Sequence, residues 1–294
     1  MQQVDQIYKD LVNTIIDEGR METGDVRGHY VDGTPAYTKQ ILNWSAVFKP
    51  EDGIPILHSK RVAMKSFTAE IDWIWRLMSN DVDELVKLGS PVWNSWAQED
   101  GTILKAYGWQ LANKKRLMKV REDWINPNAN GDFVEKELNQ VEFILHEIMH
   151  NPNSRRIMTD LYSVGEIQEM ALEPCVFLTN WQVEDDTLHL IVTQRSADVA
   201  LGLPSNWYEY SLLHHRIAQV TGKKVGNMYW NIFNAHIYDR HIPLLKEQVN
   251  AEFHIPEKAE FIMPEDLNYF NTPLKEVKVS NYKHNGVYKY EIAI

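Results

Sequence analysis

Cysteine is almost absent: one residue, Cys175, stands in a chain of 294. A lone thiol excludes an intramolecular disulfide framework and fits a reducing compartment. Also missing is any apolar run of the ~20 residues that a membrane span needs. The start, "MQQVDQIYKDLVNTIIDEG", lacks the basic-then-apolar order of a signal peptide, so a cytoplasmic protein away from membranes is expected. Positive charge is in deficit. Thirty Lys and Arg against 41 Asp and Glu leave a net charge of −11, which argues against non-specific nucleic-acid binding. A small anion stays possible, because a local arginine cluster outweighs the global field at contact range. There is no Cys/His set at metal spacing, no P-loop, no dinucleotide glycine fingerprint, no repeat and no low-complexity linker, so no metal is expected.

What remains is ordinary globular sequence, 44% hydrophobic and 24% charged. In the first segment Val4, Ile7, Tyr8, Leu11, Ile15 and Ile16 fall near one helical face. Helices are predicted over 66–79, over "DVDELVKLG" with Gly89 as its stop, over 140–152 with Asn151-Pro152 as its end, and over 205–222. Asn206 is a possible cap of the last and Gly222 its end. That helix is apolar on nearly all sides, which implies deep burial. The runs "VFLTNWQV", "TLHLIVTQR" and "YWNIFNAHIY" read as strands. Without regular βαβ alternation or a linker, the expectation is an α+β fold: one domain over 1–294, a mixed or mostly antiparallel sheet covered by helices.

The thiol has a predicted neighbour. Runs 176–183 and 187–194 flank Glu184-Asp185-Asp186, which reads as a hairpin turn of three acidic residues. If Val183 faces Thr187, Cys175 lies opposite Arg195, and directly paired residues hold their Cβ atoms about 4.5–5.5 Å apart. A guanidinium beside a thiol favours the thiolate and lowers its pKa. Against this stands the commoner fate of a free cysteine, a small buried hydrophobe.

Several segments together resemble the thymidylate synthase family over nearly the whole chain: "DVRGHYVDGTPAYT", "SKRVAMKSFTAEIDWIW", "VWNSWAQEDGTILKAYGW", "NPNSRRIM", "EPCVFLTNWQV", "TQRSADVALGLPSN", "AHIYDRH" and "NYKHNGVYKYEIAI". The chain is similar to the Bacillus and Bacillus-phage branch, where valine, here Val176, also follows the nucleophile. The resemblance implies a homodimer with sheets packed back to back, in the cytosol of a bacterium or of a phage-infected host. It implies one-carbon transfer from methylenetetrahydrofolate to carbon 5 of dUMP. By resemblance Cys175 is the nucleophile, Arg195 its partner and a phosphate ligand, and Arg155 and Arg156 the phosphate pair donated across the dimer. Arg27 and Ser196 match further phosphate ligands. Guanidinium forks suit phosphate oxygens, although an Arg-Arg pair in loop sequence is ordinarily a solvated surface.

Asn206 matches the residue that reads the uracil edge, for which an amide has both a donor and an acceptor. His236 and Tyr238 match the pair that holds the sugar 3′-hydroxyl, and a spacing of two puts them on one strand face. Glu70, among Phe67, Ile71 and Trp73, matches the proton-relaying glutamate and should have a raised pKa. Its bland alternative is an exposed helix charge. Trp93, Tyr107 and Asp198 match groups around the folate and the reacting carbons. An indole face suits a pterin ring, but Trp93 equally suits core filling. The tail "YEIAI", ending at Ile294, matches a segment that closes over the folate.

The pattern departs at Ser205, Phe233-Asn234, Asn94 and Trp109. These leave open a dUMP hydroxymethylase, in which water rather than hydride meets the same methylene and gives 5-hydroxymethyl-dUMP. A non-catalytic relative of the same fold is opposed by the acidic charge and the intact Cys-Arg-Asn set.

Overall fold

A stripe of Val4, Tyr8, Leu11, Val12 and Ile15 buries one side of helix α1 (Gln3–Glu18), as its spacing dictates. The computed structural model describes residues 2–26, 28–125 and 131–293. Strands β1 (Arg20–Met21) and β2 (Thr38–Phe48) follow. The helix predicted over 66–79 divides: α2 (Met64–Asp72) passes into a widened π turn over Trp73–Leu77 and stops at left-handed Met78 (φ 50°). Such turns recur where a helix adjoins a functional site, and Glu70 sits one turn before this one. Asp81 caps α3 (Val82–Leu88) by accepting the Asp83 N–H, and Gly89 ends it at φ 99°, as predicted. Next come α4 (Gly108–Asn113), β3 (Arg116–Arg121), α5 (Glu122–Ile125), β4 (Phe133–Leu138) and α6 (Gln140–His150). A capping box starts α6, with Asn139 accepting from the Glu142 N–H and Glu142 accepting from the Asn139 N–H. After α6 run β5 (Met158–Asp160), β6 (Val176–Glu184), β7 (Thr187–Asp198), α7 (Gly202–Val220), β8 (Lys224–Tyr238) and α8 (Ile242–Asn250). The short pair β9 (Glu260–Ile262) and β10 (Lys278–Ser280) completes the elements.

Six strands form one sheet in the order β1-β2-β8-β7-β6-β5. All its neighbours are antiparallel except β7 and β8. A parallel pair needs a crossover, and α7 supplies it. This explains the all-round apolar sequence of α7, which packs on β7 and β8 and also on α2. Trp207 in its first third is fully buried among Tyr8, Trp44 and Phe48. The fold is therefore α+β with a mixed sheet, as expected.

Two local expectations need correction. The hairpin turn holds two residues, not three: Glu184 pairs with Thr187, and left-handed Asp185 (φ 53°) with Asp186 closes it. The ladder thus runs one step out of the predicted register as far as Leu178–Thr193. A bulge at Phe177 then restores it, so Val176 pairs with Gln194, and the Arg195 N–H meets the Cys175 carbonyl at 2.9 Å. Two errors of one residue cancel at the position that matters. The second correction is Asn206. Helix α7 starts at Gly202, so Asn206 lies inside it and caps nothing.

Removing the capping box should loosen the helix that precedes the Arg155–Arg156 loop. We expect Asn139→Ala to lower unfolding free energy by about 1 kcal/mol, read as a shifted urea midpoint with unchanged slope.

Candidate active site

Arg195 is fixed by the chain around the thiol. Its Nε donates to the Pro174 carbonyl (3.1 Å), Nη2 to the Glu173 carbonyl (2.8 Å) and Nη1 to Ser196 Oγ (3.2 Å). A guanidinium has five N–H groups, so two remain for an incoming anion. Cys175 is partly exposed. Its backbone N–H donates to the Tyr107 hydroxyl (3.1 Å), and its sulfur is in hydrogen-bond reach of Ser196 and Tyr107. Tyr107 has a positive φ (46°), and the next residue, Gly108, packs against Ser79. A Cβ on that glycine would sit 2.3 Å from the Ser79 carbonyl oxygen.

The expected electrostatics are half right. Arg195 does pull the thiol pKa down, but burial is the larger influence, and the thiol lies above its ordinary value. Desolvation of the thiolate outweighs one guanidinium that is already shared with two carbonyls. The sulfur therefore rests protonated at neutral pH.

A chain of amides runs from the sheet into α7. Trp230 Nε1 donates to Gln194 Oε1 (2.8 Å), Gln194 Nε2 to Asn206 Oδ1 (2.9 Å), and Asn206 Nδ2 to Glu209 Oε2 (3.0 Å). An indole only donates, so it fixes which way round Gln194 lies, and Gln194 in turn fixes Asn206. Each end of the Asn206 amide keeps one unused site, an acceptor lone pair on Oδ1 and an N–H on Nδ2.

Glu70 is half-buried, not an exposed helix charge, and accepts from Trp93 Nε1 at 2.8 Å. Burial raises its pKa, as expected. Trp93 itself is 5% exposed, packed edge-to-face on Tyr107 at 5.0 Å and on Trp96 at 5.5 Å. It fills core and holds the carboxyl at once. Asp198 Oδ1 accepts from the Ala200 and Leu201 N–H groups, while no donor among the described residues reaches Oδ2. Beside Asp198 lies Lys60, which donates to the Ala200 carbonyl and whose pKa burial depresses to about 8.

His236 and Tyr238 share a face of β8 with ring centroids 5.6 Å apart. The departure at Asn234 orients the histidine. Asn234 Nδ2 donates to Gln40 Oε1 (2.6 Å), so its Oδ1 accepts from His236 Nδ1–H (3.2 Å) and leaves Nε2 as a lone pair. Burial lowers the His236 pKa, consistent with a neutral ring. The tail is anchored here too. The Glu291 carbonyl accepts from His241 Nε2 (2.7 Å), Tyr290 donates to Gln248 (2.5 Å), and Arg240 pairs with the Glu291 carboxylate (3.1 Å). Ala293 ends near Gly28, within 3.9 Å of where a Cβ would stand. Arg27 and Ile294 lie outside the described residues.

Cys175, Arg195, Ser196, Tyr107, Glu70, Trp93, Asp198, Asn206, His236 and Tyr238 are thus linked into one neighbourhood by hydrogen bonds, ring contacts and mutual electrostatic influence. No hydrogen bond or ion pair among the described residues joins Arg155 or Arg156 to them. Both are exposed on the loop before edge strand β5, and neither guanidinium has a partner among the described residues. Sequence reasoning missed Gln194, Lys60 and Glu209. The signal for Glu209 was a carboxylate between Tyr208 and Tyr210 in a helix without a polar face.

A family model described as thymidylate synthase matches residues 6–294. The thymidylate synthase of Bacillus phage phi3T is 41% identical over the full length of both chains. Thymidylate synthase 1 of Bacillus subtilis is 40% identical, also over the full length of both. The solved structure of thermostable thymidylate synthase A from Bacillus subtilis superimposes with a TM-score of 0.88 at 38% identity, covering 99% of each chain.

The burial of the sulfur has a measurable consequence. In the free protein, Cys175 alkylation by iodoacetamide should be slow at pH 7 and climb as pH rises beyond the ordinary thiol range. Arg195→Gln removes the one cation that opposes burial, so it should move the rise to still higher pH. A rise at lower pH than for a free thiol would contradict the geometry.

Proposed function

This chain belongs to the thymidylate synthase family, and from that premise we propose how its residues divide the work of methylating dUMP to dTMP. The reaction uses a folate co-substrate. The full-length relatives carry the synthase name, which favours the methyl product over the hydroxymethyl one. Two of the departures also have their polar groups engaged within the protein: Ser205 Oγ is turned onto the Gly202 carbonyl (2.6 Å), and both ends of the Asn234 amide are bonded.

Carbon 5 of uracil is a poor nucleophile. The Cys175 sulfur adds to carbon 6, its proton leaves, and the ring electron pair moves to the carbon 4 oxygen, which makes carbon 5 enolate-like. Asn206 reads the base, with Oδ1 accepting the N3–H and the free Nδ2–H donating to the carbon 4 oxygen. Glu70 relays protons at that oxygen and at carbon 5. Two free N–H groups of Arg195, with Ser196 and Arg27, take the phosphate, and His236 Nε2 with Tyr238 takes the 3′-hydroxyl. Methylenetetrahydrofolate, when bound, supplies the one-carbon unit and the hydride. Trp93, Asp198 through its open Oδ2, and the tail to Ile294 would hold it, with Tyr107 bracing Cys175.

A second copy of the chain completes the site with Arg155 and Arg156. Their exposure without an acidic partner supports this, as does the exposure of Leu42 (72%) and Phe233 (52%) on paired strands β2 and β8. The whole chain, 1–294, acts as one cytoplasmic catalytic domain. The observation that carries the reading is Cys175 beside an Arg195 whose fork is fixed and half free.

Mass spectrometry of the product from dUMP and methylenetetrahydrofolate should find the methyl group, with dihydrofolate absorbance rising in step. Cys175→Ala should bind dUMP without turnover. Mixed with an inactive Arg155→Ala/Arg156→Ala variant after gentle denaturation, it should regain about a quarter of wild-type activity through hybrid sites. Appreciable turnover by Cys175→Ala alone would end the covalent scheme, and no recovery on mixing would end the shared site. Asn206→Asp removes the N–H aimed at the carbon 4 oxygen. We expect kcat/KM for dUMP to fall about thirtyfold, roughly 2 kcal/mol, with dCMP discrimination relaxed, and unchanged discrimination would refute the amide's role.

A further inference from the structure

Glu209 is 3% exposed in the interior of α7, and nothing in the scheme above uses it. Its Oε2 accepts from Asn206 Nδ2, whereas Oε1 is buried without a hydrogen-bond donor. Yet Oε1 is not remote from polar groups, because the Glu209 and Glu70 carboxyls are in hydrogen-bond reach of each other. Two ionised carboxylates both accept and cannot bond. They would also repel at contact between packed helices, where desolvation magnifies the repulsion. One proton removes both problems: it satisfies the orphan oxygen and turns repulsion into a hydrogen bond.

We propose that Glu209 keeps its proton at neutral pH and donates it as a hydrogen bond from Oε1 to the Glu70 carboxyl, as the residue that positions Glu70. Glu70 is then held by two donors, Trp93 Nε1–H and Glu209 Oε1–H. The same Glu209 carboxyl holds Asn206, so it links the proton relay to the amide that reads the base. No proton is transferred: the bond breaks nothing, and the proton stays on Glu209. Burial raises both carboxyls, and Glu209 is the more deeply enclosed of the two, buried where Glu70 is half-buried. The other titratable groups facing the pair are Tyr208 and Tyr210 from α7 and Tyr107 from the start of α4, with Cys175 behind them. No Lys, Arg or His acts on either carboxyl among the described residues, so no cation is present to ionise both.

The inference rests on Glu70 as the proton relay for its catalytic meaning, but its proton can be read directly. Infrared difference spectra of wild type against Glu209→Gln, both at pH 7, should show a protonated-carboxyl carbonyl band that the variant lacks. Glutamine donates to Glu70 and accepts from Asn206 in the same way as a protonated carboxyl. Glu209→Gln should therefore keep kcat within about threefold and carry activity to higher pH than wild type. Glu209→Ala should lower kcat about tenfold or more while the dUMP KM moves much less. The absence of the band, or a glutamine variant as impaired as the alanine one, overturns the proposal. If Glu209→Ala fails to fold, the band and the glutamine variant still decide. An active Glu70→Gln would instead remove the proton-relay reading and leave the band as an independent result.

Discussion

One backbone hydrogen bond organises the site: the Arg195 N–H on the Cys175 carbonyl, at 2.9 Å. It exists only because a bulge at Phe177 shifts the β6–β7 ladder by one residue. Without the shift, the alternation set by the two-residue turn would offset the thiol from the guanidinium by one position and turn one of them to the other face. With it, the arginine fork closes back on the carbonyls of Glu173 and Pro174, and the segment before the cysteine is clamped to the strand beyond it. Cys175 is thus held in place mainly by main-chain hydrogen bonds, so its position does not depend on the contacts of the sulfur with Ser196 and Tyr107.

The parallel contact of β7 and β8 has a second consequence. It forces the crossover α7 across the sheet, and so brings a helix face against Gln194 and Trp230. The amide chain Trp230, Gln194, Asn206 starts from a donor-only indole and passes one orientation along three residues. In the proposed scheme, selectivity for uracil over cytosine therefore begins in the sheet core, two side chains away from the base. Helix α2 meets α7 from the other side and brings Glu70 to the same amide chain through Glu209.

Much of this was legible in the residues. Strand and helix periods located α1, α6, β6, β7 and β8, and Gly89 marked a true helix end. Segment resemblance singled out most of the polar groups that the structure brings near Cys175. What failed has physical causes. The acidic tripeptide at 184–186 gave no cue to a two-residue turn, since an aspartate in left-handed conformation stood where glycine or asparagine is usual. A bulge leaves no periodic trace when its neighbours are all apolar. Asn206 looked like a cap because caps and base-reading amides share one residue type. The thiol pKa went the wrong way because a sequence reports the neighbouring charge but not the burial that opposes it. Glu209 went unseen because pattern reading looks for matches, and its meaning lies in a mismatch, an acid in an apolar helix.

Burial also explains how so acidic a chain can offer an anion a docking point, as the proposed role of Arg195 requires. Desolvation disfavours charge of either sign, and in this neighbourhood it leaves Cys175 protonated, His236 neutral and Glu209 with its proton. Three groups that would add or scatter charge are silenced by the same cause. The cations that remain, Arg195 and the partly depressed Lys60, then face a field much weaker than the net charge of −11 suggests. Arg195 cannot be silenced in this way, because a guanidinium holds its proton far above neutral pH. In the proposed scheme it is therefore the permanent charge around which the phosphate docks, and the neutral thiol beside it does not compete for the two open N–H groups until the pyrimidine ring is in place.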